Sequence, residues 1–234
     1  EDPLGVTAVA ALLQHNTSGI ITRAEDSIER PKDLEGYTYS TWNSPIELAT
    51  MQQVVEADGG DFSKVDLIPN NIVDEAGALK EHQTDAIWIY YGWGGISAEL
   101  QGLDFNYFYF KDLDPVFDYY TPVIIANNDF LAEHPDTAKA FLSATAKGYE
   151  YAIAHPEEAA QMLIESDTTG SLKDSAELVT ASQKWMADQY QAEAERWGYI
   201  DPSRWNAFYR WLSDNNLVEQ PIPENTGFSN DYLA

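Results

Sequence analysis

The sequence of 234 residues contains no cysteine, and its 13 lysine and arginine residues face 39 aspartate and glutamate residues. Without cysteine the chain can form no disulfide, thiolate metal site, iron–sulfur cluster or cysteine nucleophile. The net charge of −26 repels nucleic-acid phosphates and anionic membrane surfaces, which argues against both classes of partner. This acidity fits either a salt-rich environment or a surface suited to solubility, and both explanations stay open.

Two further features are missing from the sequence. No apolar run approaches the roughly 20 residues of a membrane-spanning helix. The chain begins at Glu1 without a methionine, a basic segment or a signal-like apolar segment, so we expect a processed or truncated product.

Short β-rich runs alternate with helical patterns along the first half of the chain. Strands are predicted at residues 6–13, 19–22, 37–42, 65–69, 86–91, 107–110 and 123–126. Helices are predicted after Ser44-Pro45, ending at Gly59-Gly60, and at 75–82. This alternation predicts an α/β fold with mixed, mainly parallel sheets, whose ligands bind beyond the carboxyl ends of the strands.

The last third of the sequence is predicted to be helical. Apolar residues recur at helical spacing over 136–154, 156–165, 174–196 and 202–215. The polar stretches 23–33 and 111–121 are the best candidates for crossings between two lobes.

Signatures of catalysis and of metal or cofactor binding are missing. The sequence has no Gly-x-Ser-x-Gly elbow, phosphate-binding loop or dinucleotide fingerprint. The four histidines have no close-spaced histidine partner, and the carboxylates are spread over predicted helix faces as solvated charge. We therefore predict no catalytic residue, no metal and no cofactor.

The segment from Trp88 to Gly95 is the strongest candidate for ligand binding. An apolar strand ends there in aromatic residues, followed by glycines that allow a tight loop. The flat rings of Tyr90, Tyr91 and Trp93, with Gly94 beside them, could hold a flat ligand. Few lysines or arginines lie nearby, which favours a neutral or cationic ligand over a phosphate ester. The alternative is that these aromatics only fill a core.

Two further pairs of residues lie at predicted strand ends. Trp42 and Asn43 join a strand to the start of a helix, where free backbone N–H groups could face a ligand. His15 and Asn16 follow the first buried strand, at the position where an open α/β sheet presents ligand-facing groups. A purely structural role stays open for both pairs.

Several motifs together resemble one known family. They are Arg30-Pro31-Lys32-Asp33-Leu34-Glu35-Gly36, Tyr90-Tyr91-Gly92-Trp93, and Pro122-Val123-Ile124-Ile125-Ala126-Asn127 followed by Phe130-Leu131 and His134-Pro135. In this order, and over nearly the whole chain, the sequence resembles the thiamine-pyrimidine-precursor branch of the substrate-binding proteins of ABC transporters.

The resemblance implies a two-lobed periplasmic-binding-protein type II fold that closes around a small, aminopyrimidine-like ligand. Residues 25–115 would form the second lobe, and 1–24 with 116–234 the remainder of the first. The protein would be a non-catalytic monomer that delivers a hydroxymethylpyrimidine or formylaminopyrimidine to a membrane permease driven by a partner ATPase. It would lie in a periplasm or outside the cell, with a lipid anchor as an alternative.

The sequence departs from the family in two respects. Several members have a glutamate that can hydrogen-bond an aminopyrimidine where this chain has Gly94. Members also begin with further strands of the first lobe, so we expect an unpaired sheet edge here, with lower stability or complementation by another chain.

Three alternatives follow from the same resemblance. The ligand could be a flavin or an alkyl sulfonate. The chain could also be a pyrimidine-precursor synthase, although that enzyme has a cysteine-rich motif and this sequence has no cysteine.

Overall fold

The computed structural model describes residues 4–69 and 72–233. The expectation of a processed start rests on Glu1-Asp2-Pro3, which lie outside the described residues. The strands are β1 (Val6–Ala11), β2 (Ser18–Arg23), β3 (Thr38–Thr41), β4 (Asp66–Pro69), β5 (Ala86–Tyr90), β6 (Phe105–Tyr109) and β7 (Val123–Asn127). The helices are α1 (Pro45–Ala57), α2 (Glu75–Lys80), α3 (Ile96–Leu100), α4 (Phe110–Leu113), α5 (Asn128–Glu133), α6 (Pro135–Ala154), α7 (Pro156–Ser166), α8 (Ser171–Asp174), α9 (Ala176–Tyr190) and α10 (Pro202–Asp214).

The chain forms two compact units. The central unit comprises Thr17–Asp118, outside 70–71, together with Leu212–Glu219. The terminal unit comprises the described residues up to Asn16, Tyr119–Trp211 and the described residues from Gln220. The predicted lobe division at 25–115 stays a prediction. The central unit extends further at its start because β2 pairs with both β5 and β6.

The central unit contains a five-stranded sheet in the order β4-β3-β5-β2-β6. The pairs β3–β4 and β3–β5 are parallel, whereas β2 is antiparallel to β5 and to β6. Ile21, Leu79, Ile87 and Ile89 are fully or nearly fully buried in its core. The predicted α/β class with mixed sheets is confirmed, but the sheet is half antiparallel rather than mainly parallel.

The terminal unit contains a two-stranded antiparallel sheet, β1 with β7, covered by helices. Val9 and Ala10 of β1 pack with Leu131, Leu142 and Trp197. The helices α6, α7, α9 and α10 confirm a helical last third. Among the described strands, β1 and β7 pair only with each other.

Two local predictions differ from the structure. The predicted helix 174–196 ends at Tyr190 as α9, and Ala192 beyond it has a left-handed φ of 45° that a helix does not tolerate. The predicted loop Tyr91–Gly95 is instead a single π-helical turn that leads directly into α3.

Candidate functional site

Three large aromatic side chains of the central unit are exposed where two strands end. Trp42 follows β3, Tyr90 ends β5 and Trp93 lies in the turn after β5, and they are 50%, 45% and 47% exposed. Because β3 and β5 are parallel neighbours, their carboxyl ends lie at the same edge of the sheet. We call Trp42, Tyr90 and Trp93 the aromatic edge.

A buried aromatic layer supports Trp42 of the aromatic edge. The ring of Trp88 contacts Trp42 edge-on, with centroids 5.4 Å apart, and packs on Phe110 at 4.0 Å. Trp88 and Phe110 are buried. The alternative that the aromatic residues only fill a core therefore holds for Trp88. It does not hold for Trp42, Tyr90 and Trp93, whose side chains are exposed.

Tyr91 belongs to a separate tyrosine cluster. Its ring stacks on Tyr109 at 5.7 Å and meets Tyr107 edge-on at 5.0 Å, and its hydroxyl donates to Glu99. Partial burial and the carboxylate of Glu99 raise the pKa of Tyr91, so its hydroxyl remains a hydrogen-bond donor. Its predicted contact with ligand stays a prediction.

Gly94 is buried and lies against Ile89. A Cβ atom at Gly94 would lie 3.1 Å from Cβ and Cδ1 of the Ile89 side chain. Neither Gly94 nor Gly95 has a positive φ, so the turn requires these two glycines for close packing rather than for a left-handed backbone. A glutamate at position 94 would therefore need a shift of Ile89.

Asn43 links β3 to α1 through a left-handed backbone with a φ of 59°. Its N–H donates to Thr41 Oγ1 at 2.9 Å, and the N–H of Ser44 donates to Glu47 Oε2 at 3.3 Å. The expectation of free backbone donors is wrong for these two residues, because side chains of the same segment already accept both hydrogen bonds. The Asn43 side chain is exposed.

His15 and Asn16 belong to the terminal unit. The His15 Nε2 atom lies 2.8 Å from Glu193 Oε2, and Asn16 is fully buried. The eight predicted site residues are therefore divided between the units, with these two in one and Trp42, Asn43, Tyr90, Tyr91, Trp93 and Gly94 in the other. Their roles in ligand binding stay predictions.

Glu193 is a charged partner of His15 that no sequence pattern indicated. Although desolvation opposes the shift, hydrogen bonds from His15 and Arg204 lower the pKa of Glu193 to about 2. His15 and Glu193 are 178 residues apart in the chain, and no spacing rule connects them. The sequence pattern also misplaced this segment, because helical spacing predicted a helix through residue 196, whereas α9 ends at Tyr190.

Between residues 4 and 233, outside 70–71, no group of histidine, aspartate and glutamate is arranged to hold a metal ion. Over the same residues, no helix combines the length and apolar character needed to cross a membrane.

A family model described as NMT1/THI5 like matches residues 1–159. The chain belongs to the NMT1/THI5-like family. This assignment confirms the family resemblance deduced from the sequence motifs.

Three comparisons place the chain among known proteins. A formylaminopyrimidine-binding protein of Halalkalibacterium halodurans is 25% identical over 97% of this chain and 68% of its own. A 4-amino-5-hydroxymethyl-2-methylpyrimidine phosphate synthase of Candida albicans is 28% identical over 49% of this chain and 31% of its own. The periplasmic aliphatic sulphonate binding protein of Escherichia coli shares the fold, with a TM-score of 0.67, 14% identity, and coverage of 93% and 67%.

Proposed function

We propose that this protein is the solute-binding component of an ABC importer and captures a thiamine pyrimidine precursor of the formylaminopyrimidine type. The observation that carries the proposal is the aromatic edge, because three large rings exposed at one edge of a sheet suit a flat heteroaromatic ligand. The relative from Halalkalibacterium halodurans, which matches over nearly the whole chain, supports the choice of ligand.

Binding without catalysis fits the residues better than synthesis does. The synthase from Candida albicans matches only half of this chain. The cysteine-rich motif expected of such an enzyme has no counterpart in a sequence without cysteine. We therefore assign the chain a transport role, with a membrane permease as its partner and a site of action in a periplasm or outside the cell, with or without a lipid anchor.

The alternative ligands predict different chemistry at the aromatic edge. An alkyl sulfonate needs a cation or several N–H donors to hold its charge. Lys111, the cation that contacts the neighbouring tyrosine cluster, lies 5.4 Å above the ring of Tyr109. The exposed rings offer stacking rather than charge, which favours the neutral pyrimidine over a sulfonate.

Titration of the protein with a formylaminopyrimidine tests the proposal directly. Trp42 and Trp93 are exposed and Trp88 lies beneath Trp42, so ligand stacking should change tryptophan fluorescence. We expect saturation at micromolar ligand or below, equivalent to about −8 kcal/mol or better. Calorimetry on Trp93→Ala and Tyr90→Ala should show binding weakened by about tenfold each, from lost stacking and burial.

Phe141→Ala is the matched control, because Phe141 is an aromatic residue that is 60% exposed in the terminal unit. This variant should bind as the parent does. Equal losses in all three variants, or saturable binding of an alkyl sulfonate or flavin without binding of the pyrimidine, would contradict the proposed ligand.

A further inference from the structure

The terminal unit contains an open cleft of about 730 Å³ that the proposed function does not use. Its lining comes from distant parts of the chain, including Gln14 after β1, Glu193 and Arg196 after α9, and Arg204 in α10. A volume of this size matches that of small-molecule sites, about 300–1,000 Å³. Size alone does not show what the cleft binds, so the polar groups of its wall decide the question.

Gln14 supplies the first of these groups. Its residue is 2% exposed, and its Nε2 donates to Tyr199 O at 3.0 Å. Among the described residues, none donates a hydrogen bond to Gln14 Oε1. The hydrogen bond at Nε2 orients the side-chain amide, so this buried residue presents a fixed acceptor in the wall of the cleft.

Glu193 supplies a second acceptor and a negative charge. Its carboxylate is held by His15 Nε2 at 2.8 Å and by Arg204 Nη2 at 3.3 Å, while the side chain is 62% exposed. With a pKa of about 2, the carboxylate stays ionised over the whole range in which proteins are usually studied. Glu195 and Asp201 add two more carboxylates to the lining.

The cationic group of Arg204 is already occupied. Its Nη1 donates to Gln14 O, its Nη2 to Glu193, and its guanidinium lies 5.2 Å from the ring centre of Tyr120. The lining therefore contains three carboxylates and two arginines, and the guanidinium of one of these arginines, Arg204, is already engaged.

We propose that this cleft binds an organic cation carrying N–H donors, such as an amidinium, between the carboxylate of Glu193 and the Oε1 atom of Gln14. A planar amidinium presents N–H groups in a fork that a carboxylate accepts in pairs, as it does from arginine. The lining residues of the cleft belong to the terminal unit, whereas the aromatic edge belongs to the central unit. The inference does not depend on the proposed transport function.

Calorimetry with benzamidinium tests the inference, and benzyltrimethylammonium serves as the matched probe. Both ions carry one positive charge beside an aromatic ring, but only benzamidinium has N–H donors. The protein has a net charge of −26 and attracts any cation, so the titration should be made at about 0.15 M salt, where screening acts over about 8 Å. We expect one saturable site for benzamidinium and at least about tenfold weaker binding of benzyltrimethylammonium.

Two variants with the same change of charge locate the site. Glu193→Gln should weaken benzamidinium binding by about tenfold or more. Glu150→Gln, at an exposed position of α6, should leave it unchanged. Melting temperatures of both variants establish that they are folded.

A measurement on the unmodified protein keeps the test independent of the variants. Benzamidinium should shift the side-chain amide resonances of Gln14 in a nitrogen-15 NMR spectrum, with the same saturation as the calorimetric signal. Equal binding of the two cations, equal effects of the two variants, or an unchanged Gln14 amide at saturation would each overturn the inference. A formylaminopyrimidine titration that fails while benzamidinium binds would reject only the proposed transport ligand.

Discussion

The phenol of Tyr39 donates a hydrogen bond of 2.7 Å to Glu47 Oε1, and both residues are almost completely buried. The other carboxylate oxygen accepts from Thr41 Oγ1 at 2.9 Å. Burial and the nearby carboxylate raise the pKa of Tyr39, so the phenol remains protonated as a donor. This arrangement joins β3 to α1 directly beside Trp42, and so fixes the strand end that carries one ring of the aromatic edge.

Tyr39→Phe should therefore destabilise the protein. The substitution keeps the ring but removes the donor, which leaves a buried carboxylate oxygen short of one hydrogen bond. We expect the free energy of unfolding to fall by about 1–3 kcal/mol in urea denaturation. Tyr37→Phe is the control, since its less buried hydroxyl donates to a neutral carbonyl, Asp26 O, at 3.0 Å. A loss no larger than that of the control would show that the Glu47 contact contributes little.

Gly95 and Gly148 should respond in opposite directions to replacement by alanine. A Cβ at Gly95 would lie 2.8 Å from the Tyr91 ring, whereas a Cβ at Gly148, in the middle of α6, would meet nothing within 4 Å. Gly95→Ala should cost about 1–3 kcal/mol through overpacking. Gly148→Ala should stabilise the protein by about 0.5–1 kcal/mol, because alanine favours the helix. Thermal unfolding of the two variants checks both signs, and a stabilising Gly95→Ala would contradict the packing described for the turn.

Arg23 is a buried cation that ties β2 to the segment before β5. Its Nη1 donates to Leu79 O and Thr84 O at 2.8 Å each, and its Nη2 lies 2.5 Å from Asp85 Oδ1. Although burial opposes the shift, donors from Thr38 and Arg23 lower the pKa of Asp85. The ion pair is therefore formed at neutral pH.

Arg23→Met should leave the carboxylate of Asp85 partly buried without its cation. We expect a loss of about 3–5 kcal/mol in the free energy of unfolding, measured by urea denaturation. Arg30→Met removes the more exposed ion pair with Asp58 and should cost less. If both variants lost the same stability, burial would not be the reason that Arg23 matters.

The sequence predicted the strands well because each is a short run of β-branched and aromatic residues. The pairing of these strands, in contrast, was not predictable from such local runs. Antiparallel insertion of β2 between β5 and β6 is set by long-range contacts such as that of Ile20 with Trp88 and Phe108. Nothing in the local pattern of β2 distinguishes this arrangement from a parallel one.

The burial of the candidate site residues was likewise not predictable from the local sequence pattern. Trp88 and Tyr90 are two positions apart on β5 and so share a face of the sheet. Yet Trp88 is buried and Tyr90 is exposed, because Phe110 packs over Trp88 at 4.0 Å. The cleft between Gln14 and Arg204 depends on residues 190 positions apart, which periodicity cannot relate.

The contact of His15 with Glu193 predicts a defined loss of stability in acid. The pKa of Glu193 is lowered to about 2 in the folded protein, against an ordinary value of 4.5 for a glutamate. A lowered carboxyl pKa stabilises the fold above the unfolded value, and this contribution is lost as the pH falls through the folded value. The unfolded chain takes up the proton first, so the loss develops between about pH 5 and pH 2.

Glu193→Gln should therefore have a lower melting temperature than the parent at pH 7, and the difference should shrink as the pH is lowered from 5 towards 2. At the acid end the parent carries a protonated, uncharged Glu193 that resembles glutamine. Glu150→Gln provides the control for a simple change in net charge, since Glu150 is exposed on α6. A difference between parent and Glu193→Gln that stays constant across this pH range would show that the carboxylate's contacts with His15 and Arg204 do not stabilise the terminal unit.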